Sequence, residues 1–284
     1  MTTDNRPRFK EMVRDQWTFA AEAWRSWHPQ FTQMTRAATE AIIDAAQLAP
    51  GMQVLDLAGG TGEPSITAAE RVAPGGTVVC TDFIPAMVAT AEENAHAAGL
   101  TNMRFQQVDA EAIPFPDASF DRVTSRFGVM FFPHVDKALA EIRRALRDGG
   151  RAAFIVWAPA DQNLFFSSAN GVLARRGLVK PPEPGAPTPF TFAEPGSLSV
   201  VLTQAGFRQV NEQRRELPWS WPGTPEQYWE FMRATLPAMR EALEAKDAAE
   251  VADVEREIFA SLGQHYDGSA INFGAKVYVV TAVR

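Results

Sequence analysis

The chain has 284 residues, room for one large domain or two small ones at roughly 100–200 residues per domain. With 46% hydrophobic and 21% charged residues its composition is that of a globular protein, not a disordered one. Its 34 acidic against 27 basic side chains argue against binding nucleic acid or an anionic membrane surface, and the single cysteine, Cys80, excludes an internal disulfide or a cysteine-based zinc cluster. Apolar runs such as 152–158 fall far short of the roughly 20 residues a membrane span needs. Residues 1–16 are polar and charged. A cytoplasmic, metal-free protein is the expectation.

Two helical stripes come first. Phe9, Met12, Val13, Trp17, Ala20 and Trp24 recur at steps of three and four, and so do Phe31, Met34, Ala38, Ile42, Ala45 and Leu48. The second stripe stops at Pro50-Gly51, which cannot continue a helix. From residue 52 short apolar runs alternate with helical patterns. Strands are predicted over 53–57, 77–81, 103–108, 120–125 and 152–157, and helices over 64–72, 85–98 and 135–146. That βαβ spacing predicts a parallel sheet covered on both faces, a doubly wound α/β fold. Beyond it come a helix over 163–176, six prolines between Pro181 and Pro195, and a helix over 197–205. Strand-like segments at 207–215 and 271–283 enclose helices near 225–236 and 237–262.

The sharpest local signal is Val54-Leu55-Asp56-Leu57-Ala58-Gly59-Gly60-Thr61-Gly62-Glu63-Pro64, a buried strand, a glycine turn and a helix start. Glycine lets the chain turn tightly and lets a ligand approach the backbone. The carboxyl end of the first strand of an open α/β sheet is where ligands bind. A dinucleotide fingerprint needs a third glycine, but Ser65 stands there, and Glu63 would repel a pyrophosphate at the helix N-terminus. The loop also lacks the lysine of a phosphate-cradling loop. A ligand without phosphates fits better, and a nicotinamide dehydrogenase is the disfavoured reading.

With these residues the sequence resembles the class I S-adenosylmethionine-dependent methyltransferases, and the Leu-Asp-Leu-Ala-Gly-Gly-Thr-Gly string resembles the ubiquinone/menaquinone C-methyltransferase group in particular. Ala58 departs from a glycine found in many members. The resemblance covers roughly 52–157. It implies S-adenosylmethionine as cofactor, with S-adenosylhomocysteine as product, and a Rossmann-like seven-stranded sheet whose last strand is antiparallel. The implied cofactor residues are Asp56, Ala58, Gly59, Gly60 and Gly62 in the first motif. Asp82 would take the ribose hydroxyls, with Phe83 and Met87 following it. Asp109 and Ala110 would meet the adenine, and Ser125 and Arg126 the methionine amino group.

The resemblance also implies a single domain over 1–284. Its parts would be an N-terminal helical lid (1–50), a cofactor-binding core (51–157), a substrate cap (158–206 and 222–270) and the last strands (207–221 and 271–284). Trp17, Trp24, Trp27 and Phe127 are the candidate substrate pocket. The aromatic content of lid and cap suits a small, largely apolar or aromatic acceptor better than a nucleic acid. Methyl transfer needs a base only when the acceptor must lose a proton, and His134 and His28 are the candidates. Two alternatives stand beside this reading: quinone-ring C-methylation, and a protein that holds the cofactor without methylating.

Overall fold

The computed structural model describes residues 4–284; residues 1–3 of the expected lid lie outside the described residues. Two helices lead, α1 (Arg6–Ser26) and α2 (His28–Ala46), parted at Trp27 where Pro29 opens the second. The buried face of α1 is Phe9, Val13, Ala20 and Ala21; Met12, part of the expected stripe, points to solvent. Then follow β1 (Gln53–Leu57), α3 (Ser65–Val72), β2 (Thr77–Asp82), α4 (Pro85–Ala97), β3 (Met103–Gln107), β4 (Phe120–Arg126), α5 (Val135–Ala145) and β5 (Leu146–Trp157).

These strands run parallel, as their spacing predicts. Residues 152–157 of β5 are buried without exception, so both faces of the sheet are covered there. The remaining elements are α6 (Leu164–Arg175), α7 (Ser197–Gln204), β6 (Arg208–Leu217), β7 (Ser220–Pro222), α8 (Pro225–Thr235), α9 (Pro237–Glu244), α10 (Ala248–Gly263), β8 (Ala270–Asn272) and β9 (Ala275–Val283). The seven-stranded sheet has the order β3-β2-β1-β4-β5-β9-β6, with β9 antiparallel to both of its neighbours. The last strand is therefore antiparallel, as expected for the Rossmann-like methyltransferase sheet.

Two expected elements are divided. The strand pattern over 271–283 breaks at Phe273-Gly274, where Gly274 has a φ of +63°. Its first part pairs with β7 in a separate two-stranded ribbon, so neither β7 nor β8 joins the main sheet. The helix expected near 237–262 is broken ahead of α10, where the Asp247 side chain accepts from the N–H groups of Ala249 and Glu250 and caps a new helix.

The strand order reverses between β1 and β4, which opens a crevice at their carboxyl ends. Helix α2 packs on β4, β5 and β9, while α1 lies against α4, α8 and α9 and roofs that crevice. No described helix is long and apolar enough to cross a membrane.

Candidate active site

The loop leaving β1 bends through left-handed backbone at Ala58 (φ +57°) and Gly60 (φ +55°). A side chain at Gly59 would strike Cys80 Sγ at 2.7 Å and Asp56 Oδ2 at 2.9 Å, so this glycine is demanded by packing against the sheet. One at Gly60 would meet no protein atom within 4 Å and would project into the crevice. Gly62 serves the helix instead, since a Cβ there would meet Ile66 at 2.8 Å. Gly128, which the sequence reading passed over, allows the β1 and β4 loops to touch: its Cβ would lie 2.5 Å from that of Ala58.

The crevice widens into a cavity of about 1110 Å³, part of it open to solvent. Of the expected cofactor residues, Ala58, Gly59, Gly60, Asp82, Phe83, Met87, Asp109, Ala110 and Arg126 line it. Asp56, Gly62 and Ser125 lie behind the wall. Asp56 is fully buried and accepts from Ser65 Oγ and Thr124 Oγ1, both at 2.6 Å, tying β1 to α3 and to β4 across the switch point. Burial pushes its carboxyl up to about 6 against the pull of those two hydroxyls. Its place is structural: it holds the loop that borders the cavity.

Asp82 stands at the end of β2. Its two oxygens accept from Gly60 N (3.0 Å) and Ile84 N (2.9 Å), joining the glycine loop to the next turn. Burial raises this carboxyl to about 6, against those backbone bonds. A carboxylate offers about four lone-pair directions, so each oxygen keeps one for a ligand hydroxyl. Asp109 accepts from Glu111 N at 3.0 Å and meets Lys10 Nζ at 2.5 Å; the same ammonium lies 2.7 Å from Glu111. Lys10 and Glu111 both line the cavity, and the sequence reading missed both, because nothing local in α1 foretells a partner beyond β3.

Arg126 closes the wall at the end of β4. Its guanidinium donates to Thr39 Oγ1 (2.9 Å), Thr35 O (3.5 Å) and Glu63 O (3.0 Å), and its Nε is buried with no acceptor among the described residues. The apolar wall comes from Trp17, Trp24, Phe31, Phe127, Phe131 and Phe132. Trp24 meets Phe31 edge to face at 4.0 Å, and Trp17 meets Phe131 in the same way at 5.3 Å. Phe127 stacks on Trp157 with ring centres 4.4 Å apart. Trp27 turns away from the cavity and packs on Trp221 and Phe231.

The structure places neither histidine in the lining. His134 is buried ahead of α5, its backbone N–H on Glu111 Oε1 at 3.1 Å. His28 reaches the wall only through Thr61, with Nδ1 2.9 Å from the hydroxyl, and burial together with Arg126 lowers its pKa, which keeps it neutral at pH 7. Cys80 is buried, and burial holds its thiol protonated.

Comparisons with known proteins identify the family. A family described as "Methyltransferase domain" matches residues 54–150. The demethylmenaquinone methyltransferase of Deinococcus radiodurans is 33% identical over 230 residues, covering 73% of this chain and 92% of that protein. The enzyme of the same name from Thermus thermophilus is 43% identical over 123 residues, which is 43% of this chain and 55% of the relative, little more than half its length. Among solved structures, the YcgJ protein of Bacillus subtilis superposes with a TM-score of 0.55 at 23% identity, over 87% of this chain and 97% of that one, a likeness of fold. The chain belongs to the class I S-adenosylmethionine-dependent methyltransferases, near the ubiquinone/menaquinone C-methyltransferase group.

Proposed function

We propose that the crevice binds S-adenosylmethionine along the carboxyl ends of β1, β2 and β3, and that the chain methylates a small, largely apolar aromatic acceptor. Asp82 takes the ribose hydroxyls with its remaining lone pairs, and Asp109 and the Ala110 N–H take the adenine edge. Phe83, Ile84 and Met87 pack against the base, while the missing side chain of Gly60 lets the methionine half approach the loop backbone. The observation that carries this reading is that one cavity is lined both by carboxylates at the strand ends and by aromatic rings from α1, α2 and the loop after β4. The residues present suit the cofactor: a glycine whose missing side chain leaves space, and carboxylates with acceptor capacity to spare.

When bound, the cofactor supplies a methyl group on a sulfonium already activated for displacement. The chain's part is to hold the acceptor in line and to keep water out, which prepays orientation entropy worth several kcal/mol. Trp17, Trp24, Phe31 and Phe127 provide flat apolar surface for an aromatic ring and exclude water from the reacting centre. Neither histidine borders the cavity, so in this reading a phenolic acceptor binds already ionised, its proton left in bulk solvent, and no side chain serves as base.

A quinol ring is a second reading of the acceptor, favoured by the Deinococcus relative that matches over most of both chains. Incubation with S-adenosylmethionine and a panel of phenols, hydroxynaphthalenes and reduced naphthoquinones tests both. S-Adenosylhomocysteine and a methylated aromatic product, followed by mass spectrometry, are expected. Binding of the cofactor with no turnover of any aromatic acceptor would overturn the acceptor class and favour a protein that holds the cofactor without methylating.

A further inference from the structure

The rings bordering the cavity are of two kinds. Trp17 and Trp24 belong to α1 and Phe31 to α2, and their contacts with one another and with Phe131 are tilted or edge-on, at interplanar angles of 54°, 81° and 69°. Phe127 differs. It ends a run of three nearly parallel rings, Phe165, Trp157 and Phe127, with centres 6.1 and 4.4 Å apart and interplanar angles of 10° and 14°. Phe165 and Trp157 are buried and do not border the cavity, whereas Phe127 does. Trp219 lies beside the stacked pair and not over it. Its ring centre is 4.9 Å from that of Trp157 and 5.8 Å from that of Phe127, and its plane stands at 79° and 89° to theirs. The face of Phe127 turned away from Trp157 meets no other ring among the described residues, which leaves that face to the cavity.

The backbone holds the same orientation. Phe127 takes a left-handed φ of +59°, a conformation that a bulky L-residue rarely adopts. Its N–H donates to Ile155 O at 2.9 Å, which carries the pairing with β5 one residue past β4. The next residue, Gly128, is wedged where a Cβ would lie 2.5 Å from that of Ala58 and 2.7 Å from Ser125 Oγ. Strained residues persist where their surroundings over-determine them, and they gather at ligand sites. A flat ring seated on a ring already held in place gains a stacked contact with no platform left to order.

We propose that Trp157, from behind the wall, is a positioning residue: it holds the free face of Phe127 toward the cavity, and the acceptor ring stacks there as the fourth ring of the series. The proposal rests on the aromatic-acceptor reading above. A planar ring gains the stacked contact, and a puckered ring of the same skeleton does not. Calorimetry in saturating S-adenosylhomocysteine tests this with methoxynaphthalene, a methylated aromatic product, and with its fully saturated counterpart. Neither probe ionises, so the comparison reads ring shape without acceptor ionisation. The ratio of affinities, flat over puckered, should fall about threefold to tenfold in Phe127→Leu, the range of one stacked pair. Trp157→Leu should lower the ratio likewise, while Trp157→Phe should keep most of it. The double variant should match Phe127→Leu alone, because Trp157 acts through Phe127. S-Adenosylhomocysteine affinity should stay near the wild-type value throughout, which reports an intact fold. Trp157→Met, which fills more of the space, replaces Trp157→Leu should the latter fail to fold.

An unchanged ratio in Phe127→Leu would overturn the proposal. So would a Trp157→Leu or Trp157→Met protein that binds S-adenosylhomocysteine and keeps the wild-type ratio, or a double variant in which the two losses add. Wild type that binds S-adenosylhomocysteine and neither probe would instead remove the aromatic-acceptor reading itself.

Discussion

Ala58 carries its side chain in left-handed backbone, a conformation that costs an ordinary L-residue about 1–2 kcal/mol. Its Cβ also occupies the space next to Gly128, which is why the second position must be glycine. Ala58→Gly should therefore stabilise the protein, by about 1 kcal/mol after the added freedom of the unfolded chain is subtracted. Gly128→Ala should destabilise it by about 1–3 kcal/mol through overpacking. Urea unfolding reads both, and combining the two changes should recover part of the loss; a purely additive pair would mean that these residues do not touch. Asp82 gives a prediction in pH. Burial raises its carboxyl from the usual 3.8 to about 6, so ionising it costs the folded state, and that stability, present at low pH, is lost as pH rises toward 6. In the proposed complex the ribose hydroxyls donate to the ionised form, so binding expels a proton. Affinity for S-adenosylhomocysteine should climb with pH up to about 6, level off above it, and lose that dependence in Asp82→Asn. A flat wild-type profile in calorimetry between pH 5 and 8 would place the ribose elsewhere.

Helix α1 is fastened over the cavity by charges along its length. Lys10 meets Asp109 and Glu111, Arg6 lies 3.8 Å from Asp136 at the start of α5, and Arg25 lies 3.0 Å from Glu93 on α4. Arg6 and Arg25 are exposed and contribute little, but Lys10 is largely shielded and bridges the helix to the acids beyond β3. If α1 must lift for ligand exchange, the bridge sets both rates. Lys10→Met should raise the association and dissociation rates of S-adenosylhomocysteine about threefold each, leave Kd nearly unchanged, and reduce the salt dependence of release. Stopped-flow fluorescence of Trp17 and Trp24, which line the cavity, reports these rates. Unchanged rates with an unchanged salt dependence would mean that the helix does not gate the site.

The parallel core was legible in the sequence because short strand-like runs alternate with helical patterns at regular spacing, and β1, β2 and residues 152–157 of β5 are buried almost throughout. The glycine loop was legible for the same kind of reason, since strand, turn and helix each have local chemistry. Contacts between distant elements were not. Lys10 is one basic residue among several on α1, and only the folded chain brings it to the end of β3. The break at Gly274 was hidden because alternation runs on through Phe273, and the break at Asp247 was hidden because helix-forming residues flank its cap. Many aromatics after the parallel core, Trp219, Trp221, Tyr228 and Phe231 among them, are buried core and not cavity wall, so aromatic content alone could not locate the acceptor. Calorimetry on the intact protein tests the whole arrangement most directly, with S-adenosylhomocysteine and NAD titrated into wild type and Asp82→Ala. The account predicts one S-adenosylhomocysteine site per chain, weakened by about 1–3 kcal/mol in Asp82→Ala, and no tight NAD site. Tight binding of NAD with none of S-adenosylhomocysteine would contradict it.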